Sequence, residues 1–173
     1  AGREAELLAG AGLALRYAEA LNCPRLHMMA GLVPSAKSKA DVRASYVNNA
    51  KAAGRLVASQ GINLLLEPIN TRDIPSFFLN RQDEAHALID EIAQPNVKVQ
   101  MDLYHCQIVE GDVTMKIRQY LPTGNVGHFQ IAGVPERQEP DVGEMNYPYL
   151  FDLIDSLGYD GWIGCEYKPK LGG

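Results

Sequence analysis

Four oxygen-bearing side chains in this sequence each stand directly after a short apolar run. They are Glu67 in "LLLE", Asp102 in "KVQMD", Gln130 in "GHFQ" and Glu166 in "GCE". Successive members are separated by about 30 residues, close to the length of one βαβ unit. Carboxylate and amide oxygens are the hard ligands that Mg²⁺ and Mn²⁺ prefer, whereas zinc more often takes His or Cys. The pattern predicts a divalent metal site and carboxylates available for acid–base chemistry.

A single strand-end carboxylate has a simpler interpretation, which is an ion pair with a neighbouring Lys or Arg. Three carboxylates at one edge of a sheet are different, because they repel one another unless a cation lies between them. A carboxylate such as Glu67, directly after three leucines, is also costly to bury without a partner. Recurrence at four positions therefore favours the metal interpretation over four separate ion pairs.

Apolar spacing along the chain supplies the elements that would position these side chains. Helices are predicted over 3–21, 38–60, 83–93 and 147–157, and a further helix is predicted with Asp112 as its N-cap. Strands are predicted over 24–31, 62–70, 96–105, 125–133 and 161–169. Alternating apolar strands and helices indicate an α/β fold with a parallel sheet covered by helices. In such a sheet the carboxyl ends of all strands share one edge, which is where active sites lie.

There are three further candidates: His105, which stands three residues past Asp102 at the end of the third predicted strand, and Arg72 and Arg137, which follow the second and fourth predicted strands. A lone His is usually structural and a loop Arg is usually solvated, so residue type and position alone leave both interpretations open for each of them. Alternation along the fifth strand predicts that Cys165 and Tyr167 face the helices as core residues. His86 has polar neighbours on its helix and is predicted to lie on the surface.

Bulk properties narrow the class of partner. The 173 residues suit a single domain, 1–173. The net charge of −5 without a basic run argues against nucleic acid, since phosphate binding needs clustered Lys and Arg. No apolar run approaches the ~20 residues of a membrane span. Three cysteines without a C-x-x-C pattern favour a reducing, cytoplasmic compartment. A small molecule is the expected partner, and an open sheet edge leaves room for a homo-oligomer.

Several long segments resemble a known family. "LLLEPINTRDIPSFFLN", "VQMDLYHCQIVEGD", "GHFQIAGVPERQEPDVGEMNYPYLF" and "GYDGWIGCEYKP" are similar to the hydroxypyruvate isomerase family, within the xylose-isomerase-like TIM-barrel superfamily. The resemblance implies a (β/α)8 TIM barrel. Such barrels usually need ~250 residues, so this chain is expected to represent about five βα units from the C-terminal portion of the barrel.

The resemblance also implies an activity and a set of roles. The expected reaction interconverts hydroxypyruvate and tartronate semialdehyde by metal-assisted proton transfer through an enediol. The implied roles are metal ligands for Mg or Mn at Glu67, Asp102, Gln130 and Glu166, an acid–base pair at Glu67 and Glu166, and substrate contacts at His105 and Arg137, with Arg72 as a substitute.

Other functions remain open from the sequence. Within the superfamily, the chain could be a 2-oxo-tetronate isomerase or a ketose 3-epimerase. From a different class, it could be a non-catalytic metal-binding remnant of a barrel. A related apurinic endonuclease needs a His-rich zinc site, which four scattered histidines and a net charge of −5 do not match.

Overall fold

A five-stranded parallel sheet forms the centre of the molecule, and its strands lie in the order of the chain. The computed structural model describes residues 2–171; Ala1, Gly172 and Gly173, which end the predicted 1–173 domain, lie outside the described residues. The strands are β1 (Arg25–His27), β2 (Asn63–Leu66), β3 (Val97–Asp102), β4 (Val126–Ile131) and β5 (Ile163–Cys165). The helices are α1 (Glu4–Ala20), α2 (Lys39–Ala58), α3 (Gln82–Ile92), α4 (Leu103–Val109), α5 (Val113–Tyr120) and α6 (Tyr147–Ser156), with a 3₁₀ turn at Leu121–Thr123.

Sequential strand order distinguishes a segment of a barrel from a doubly wound sheet, in which the order reverses. Right-handed crossovers that always advance in one direction place every helix on the same face of the sheet. The opposite face is then free to line an interior, as in a TIM barrel. None of the helices within residues 2–171 is both long enough and apolar enough to cross a lipid bilayer.

Side-chain alternation divides each strand between these two faces. Leu64 and Leu66 of β2 pack in a core cluster with residues of α2 and α3, and Leu65 lies outside that cluster. On β3 and β4, Met101 and Phe129 pack against α5 and α6 in a second cluster. The residues that alternate with these core positions share the face of Leu65, and they carry the polar side chains. The helix-covered face of the sheet is therefore apolar, and the interior face is polar.

The third strand ends earlier than the apolar pattern predicts. β3 stops at Asp102, and Leu103 begins α4, so the predicted strand over 96–105 is three residues too long. The reason is local: an Asp102 carboxylate oxygen accepts hydrogen bonds from the backbone N–H groups of Tyr104 at 2.7 Å and His105 at 3.3 Å, which caps the helix. Asp112 occupies the predicted N-cap position of α5, with a left-handed φ of 49° and no side-chain capping bond.

A register shift between β3 and β4 sets which polar residues become neighbours. Val99 pairs with Val126 but Gln100 pairs with His128, so Gly127 is an extra residue in β4. A Cβ atom at Gly127 would lie 2.8 Å from the Cβ of Lys98, so only glycine fits this close approach. Beyond the bulge, Asp102 pairs with Gln130.

Three side chains lie elsewhere than predicted. His86 is buried rather than on the surface, because its ring stacks on Tyr120 with centroids 3.9 Å apart. Cys165 and Tyr167 are exposed rather than core residues. β5 is an edge strand of the described sheet, so it has a neighbouring strand on one side only.

Candidate active site

A cavity of about 270 Å³ opens at the carboxyl ends of the strands. Its lining includes five of the predicted site residues: Glu67, His105, Gln130, Arg137 and Glu166. These residues lie at or just beyond the carboxyl ends of β2, β3, β4 and β5. The parallel arrangement therefore brings together side chains that are far apart in sequence. A sixth, Asp102, is fully buried at the end of β3. The seventh, Arg72, is outside the cavity lining.

Two buried carboxyl groups form the centre of this region. One ligand-type atom from each of Glu67, Asp102 and His105 lies within 4.8 Å of the others. Burial, together with the charge of Asp102, raises the pKa of Glu67 to about 8. Burial raises the pKa of Asp102 to about 6, against the opposing backbone hydrogen bonds from His105 and Tyr104. Without a metal ion, it is therefore unfavourable for both carboxyl groups to be ionised at the same time.

The free oxygen atoms of these carboxyl groups fit a divalent cation. Glu67 Oε1 and Asp102 Oδ2 are buried and have no hydrogen-bond partner among residues 2–171. Buried polar atoms without partners are costly, and an anion pair is more so. A cation between the two would satisfy both oxygens and remove the repulsion, so the donor set suits a hard metal ion such as Mg²⁺ or Mn²⁺.

Gln130 and Glu166 approach this centre from the two following strands. Gln130 is the register partner of Asp102, and its Oε1 accepts a hydrogen bond from Gln100 Nε2 at 2.6 Å. Glu166 follows β5; its side chain is 53% exposed and pairs with Arg137 at 2.9 Å. Gln130 thus lies beside the carboxyl pair, whereas Glu166 lines the cavity as half of an ion pair.

His105 lies at the base of the cavity on the first turn of α4. Its ring is 2% exposed, and burial is the main cause that lowers its pKa to about 4, so it is neutral near pH 7. Nδ1 lies 2.7 Å from the side-chain nitrogen of Asn70. Nε2 lies 3.9 Å from Asp102 Oδ2, too far for a hydrogen bond.

The two arginines occupy different positions. Arg137 is a cavity residue: its guanidinium lies 5.1 Å from the ring centroid of Tyr104 and pairs with Glu166. Arg72 instead donates to the carbonyl of Pro135 at 2.6 Å and to the Tyr104 hydroxyl at 3.1 Å. Arg72 therefore holds the loop that follows β4, and Arg137 is the arginine that lines the cavity.

Comparison with known proteins agrees with this architecture. The family model described as "Xylose isomerase-like TIM barrel" matches residues 1–172. The chain belongs to the xylose isomerase-like TIM-barrel family. Its relatives in this family include 2-oxo-tetronate isomerase from Cupriavidus necator, 56% identical over 171 residues, which covers 99% of this chain and 65% of the relative. Hydroxypyruvate isomerase from Escherichia coli is 42% identical over 169 residues, covering 98% of this chain and 65% of the relative.

A solved structure of the family superimposes closely on the chain. The protein named AP endonuclease, family 2, from Brucella melitensis is 45% identical and matches with a TM-score of 0.93. The match covers 98% of this chain and 65% of that chain. The chain therefore spans about two thirds of the length of these family members, and its five strands form part of a xylose isomerase-like barrel, as predicted.

Three contributors to the site were not predicted. Asn70 and Gln100 contact predicted site residues, and His27 has its Nε2 3.4 Å from Glu67 Oε2. Burial lowers the pKa of His27 to about 4. Gln100 could have been found, because it stands two residues before Asp102 and so shares its face of the strand. Asn70 carried no such signal, since it lies in a loop.

Proposed function

We propose that the chain carries the active site of an isomerase that interconverts hydroxypyruvate and tartronate semialdehyde. The observation that carries the proposal is the buried pair Glu67 and Asp102, with one unpartnered oxygen each, beside a cavity that Arg137 and Glu166 line. The reaction requires a cation near two substrate oxygens, a base for a carbon-bound proton and a positive group for a carboxylate. These residues supply one candidate for each requirement.

Four residues would hold the divalent ion, Mg or Mn, at the carboxyl ends of their strands: Glu67, Asp102, Gln130 and Glu166. Oxygen donors suit these ions, which supports this ligand set. A divalent ion bound there supplies a Lewis acid that stabilises negative charge on the adjacent carbonyl and hydroxyl oxygens. The Gln100 amide, which donates to Gln130 Oε1 at 2.6 Å, orients that amide.

Glu67 and Glu166 form the proposed acid–base pair. One carboxylate removes a proton from the hydroxyl-bearing carbon while the carbonyl oxygen gains a proton, which gives an enediol. The former carbonyl carbon then takes up a proton while the original hydroxyl group loses its own and becomes the new carbonyl. Burial raises the pKa of Glu67 to about 8 in the metal-free protein, whereas a bound divalent ion would lower it. These opposing effects are what would tune the carboxyl group for proton transfer. His105 hydrogen-bonds the substrate oxygen on which charge develops.

Arg137 binds the carboxylate of the substrate in this proposal. Its side chain is 17% exposed and lines the cavity, where a guanidinium can donate two hydrogen bonds to a carboxylate. A neutral ketose would offer this guanidinium no carboxylate to bind, so a 2-oxo acid fits better than a substrate of the 3-epimerases. Three cysteines, free within the described chain, favour a reducing, cytoplasmic setting.

A second candidate substrate is 2-oxo-tetronate, which shares the 2-oxo acid group. The observation that favours it is the 56% identity to the 2-oxo-tetronate isomerase of Cupriavidus necator. The same residues would serve both substrates, because the carboxylate clamp and the proton-transfer pair act on the carbons that the two acids share.

The test is turnover of hydroxypyruvate and of 2-oxo-tetronate by the chain, and by the full reading frame that contains it, with Mg²⁺ or Mn²⁺. A metal-free sample and the Glu67→Gln variant should both lose activity, while Glu19→Gln, an exposed carboxylate on α1, should retain it. A neutral ketose and a duplex with an abasic site complete the panel. Folded, metal-loaded protein that converts only the ketose, cleaves the duplex, or acts on neither acid would refute the proposal.

A further inference from the structure

We propose that Asn70 is a positioning residue that holds the ring of His105 in the tautomer with its proton on Nε2, so that His105 is a hydrogen-bond donor to the substrate and not a metal ligand. The catalytic meaning of this tautomer rests on the proposed function. The tautomer itself does not, because it follows from contacts within the protein.

The orientation of the Asn70 amide is determined by Asp73. Asn70 Oδ1 accepts a hydrogen bond from the backbone N–H of Asp73 at 2.7 Å, and Asn70 Nδ2 donates to Asp73 Oδ2 at 3.2 Å. Exchanging the amide oxygen and nitrogen would oppose two donors at one contact and two acceptors at the other. The NH₂ group must therefore be the atom that faces His105.

Two donors then converge on one ring nitrogen. Asn70 Nδ2 lies 2.7 Å from His105 Nδ1, and the backbone N–H of Asn70 points at the same atom from 3.4 Å. A proton on Nδ1 would oppose both, so Nδ1 must be the acceptor and the single ring proton must lie on Nε2. Asn70 is 0% exposed and His105 is 2% exposed, so water does not compete for these positions.

This tautomer assigns a role to the histidine in the carboxylate cluster. Glu67, Asp102 and His105 lie close enough together to bind a metal ion as three ligands. Imidazole binds a metal through an unprotonated nitrogen, and in His105 that nitrogen is Nδ1, which Asn70 occupies. Nε2–H, 3.9 Å from Asp102 Oδ2, is instead a donor at the cavity that His105 lines. The ion is then left with oxygen ligands, as Mg²⁺ or Mn²⁺ prefers.

The direct test is a long-range ¹H–¹⁵N spectrum of the metal-free, ¹⁵N-labelled protein near neutral pH, with the His105 signals assigned by their loss in His105→Gln. The wild-type protein should show an unprotonated Nδ1 and a protonated Nε2. Asn70→Asp replaces the donor with an acceptor of nearly equal size, so the proton should move to Nδ1. Asn80→Asp places the same charge in the same loop, on an amide that donates to the carbonyls of Ile69 and Phe77, and should leave the His105 pattern unchanged.

A wild-type spectrum with the proton on Nδ1 would overturn the proposal, and so would an unchanged pattern in folded Asn70→Asp. If that variant does not fold, Asn70→Ser provides the same comparison, with loss of the single-tautomer pattern expected, and the wild-type spectrum decides the tautomer without any variant.

Kinetics separate this proposal from the proposed function. Asn70→Asp should lower kcat for hydroxypyruvate by roughly 100-fold, the typical loss of one donor to a developing anion, with a smaller change in KM. Protein that has the predicted tautomer but converts neither 2-oxo acid would refute the function and leave the role of Asn70 in place. Wild-type protein that converts a 2-oxo acid but carries the His105 proton on Nδ1 would refute the role of Asn70 and leave the proposed function in place.

Discussion

The substitution Glu67→Gln should change how the stability of the metal-free protein depends on pH. The carboxyl group of Glu67 is 4% exposed, and burial beside Asp102 raises its pKa from 4.5 to about 8. The folded protein therefore binds this proton more tightly than the unfolded chain does. As a result, the fold loses free energy of unfolding as the pH rises from about 4.5 towards 8, the opposite of the usual behaviour of a carboxylate.

The size of the effect follows from the two pKa values. One pKa unit corresponds to about 1.4 kcal/mol, so the difference between 4.5 and about 8 corresponds to about 5 kcal/mol once the group is ionised in both states. This is comparable with the whole stability of a typical domain, which is roughly 5–15 kcal/mol. Relaxation of the site would reduce it. The steepest slope from one group is about 1.4 kcal/mol per pH unit.

The assay is urea unfolding of metal-free wild-type and Glu67→Gln protein at intervals from pH 5 to pH 8. Folding lowers the pKa of His27 and of His86 from 6.5 to about 4, so these histidines also change the stability in the lower part of this range. The informative quantity is therefore the difference in free energy of unfolding between the two proteins. The variant should gain several kcal/mol relative to wild type between pH 5 and pH 8. If the amide that Glu67→Gln introduces lacks hydrogen-bond partners, it lowers the free energy of unfolding of the variant by about 1–3 kcal/mol at every pH. This shifts the curve of stability against pH without changing its slope.

Two controls accompany this measurement. Glu19→Gln, on the exposed side of α1, should run parallel to wild type across the range. Saturating Mg²⁺ or Mn²⁺ should remove the loss of stability at pH 8 in wild type but restore less in Glu67→Gln, because ligand binding stabilises only the state that binds it. A wild-type curve parallel to Glu67→Gln from pH 5 to pH 8 would refute the idea that Glu67 is held protonated by burial.

Three further results are expected. Asp102→Asn should abolish the rise in melting temperature on adding Mn²⁺; a full rise would exclude Asp102 as a ligand. Arg137→Lys should raise KM for hydroxypyruvate about 10-fold, since Lys cannot form a bidentate contact with the carboxylate. Arg72→Lys should mainly lower the melting temperature. Equal kinetic effects of the two substitutions would contradict the separate roles of these arginines. Gly127→Ala should lower the free energy of unfolding, measured in urea, by about 1–3 kcal/mol, because the new methyl group overpacks the bulge. As a control, Gly12→Ala should stabilise α1, since its Cβ meets nothing within 4 Å. An unchanged free energy of unfolding in Gly127→Ala would contradict the close packing at the bulge.

Much of the fold was predictable because it depends on local periodicity. Short, mostly continuous apolar runs in "INLLLE" and "NVKVQMD" indicated the strands, and the position of the carboxylate after each run indicated the shared edge. Parallel pairing in chain order and membership of the xylose isomerase-like family confirm that interpretation. The boundary at 102–105 was missed because a single capping side chain, Asp102, ends the strand where the apolar pattern continues.

The burial of individual side chains was less predictable. His86 has polar neighbours in sequence, yet the ring of Tyr120, the last residue of α5, covers it. Cys165 alternates correctly with Glu166 but lies on an edge strand, where alternation does not ensure burial. Burial depends on which elements pack on a side chain, and that is information from outside its own segment.

The sequence by itself determined the parallel α/β architecture and the set of oxygen-bearing side chains at the strand ends, because periods of 2 and 3.6 residues and strand polarity are local properties. Only the tertiary structure decided how those groups meet. The bulge at Gly127 pairs Asp102 with Gln130, and the loop after β2 brings Asn70 to His105. These contacts join residues about 30 positions apart in the chain through hydrogen bonds and close packing. Such contacts leave no periodic trace in either segment.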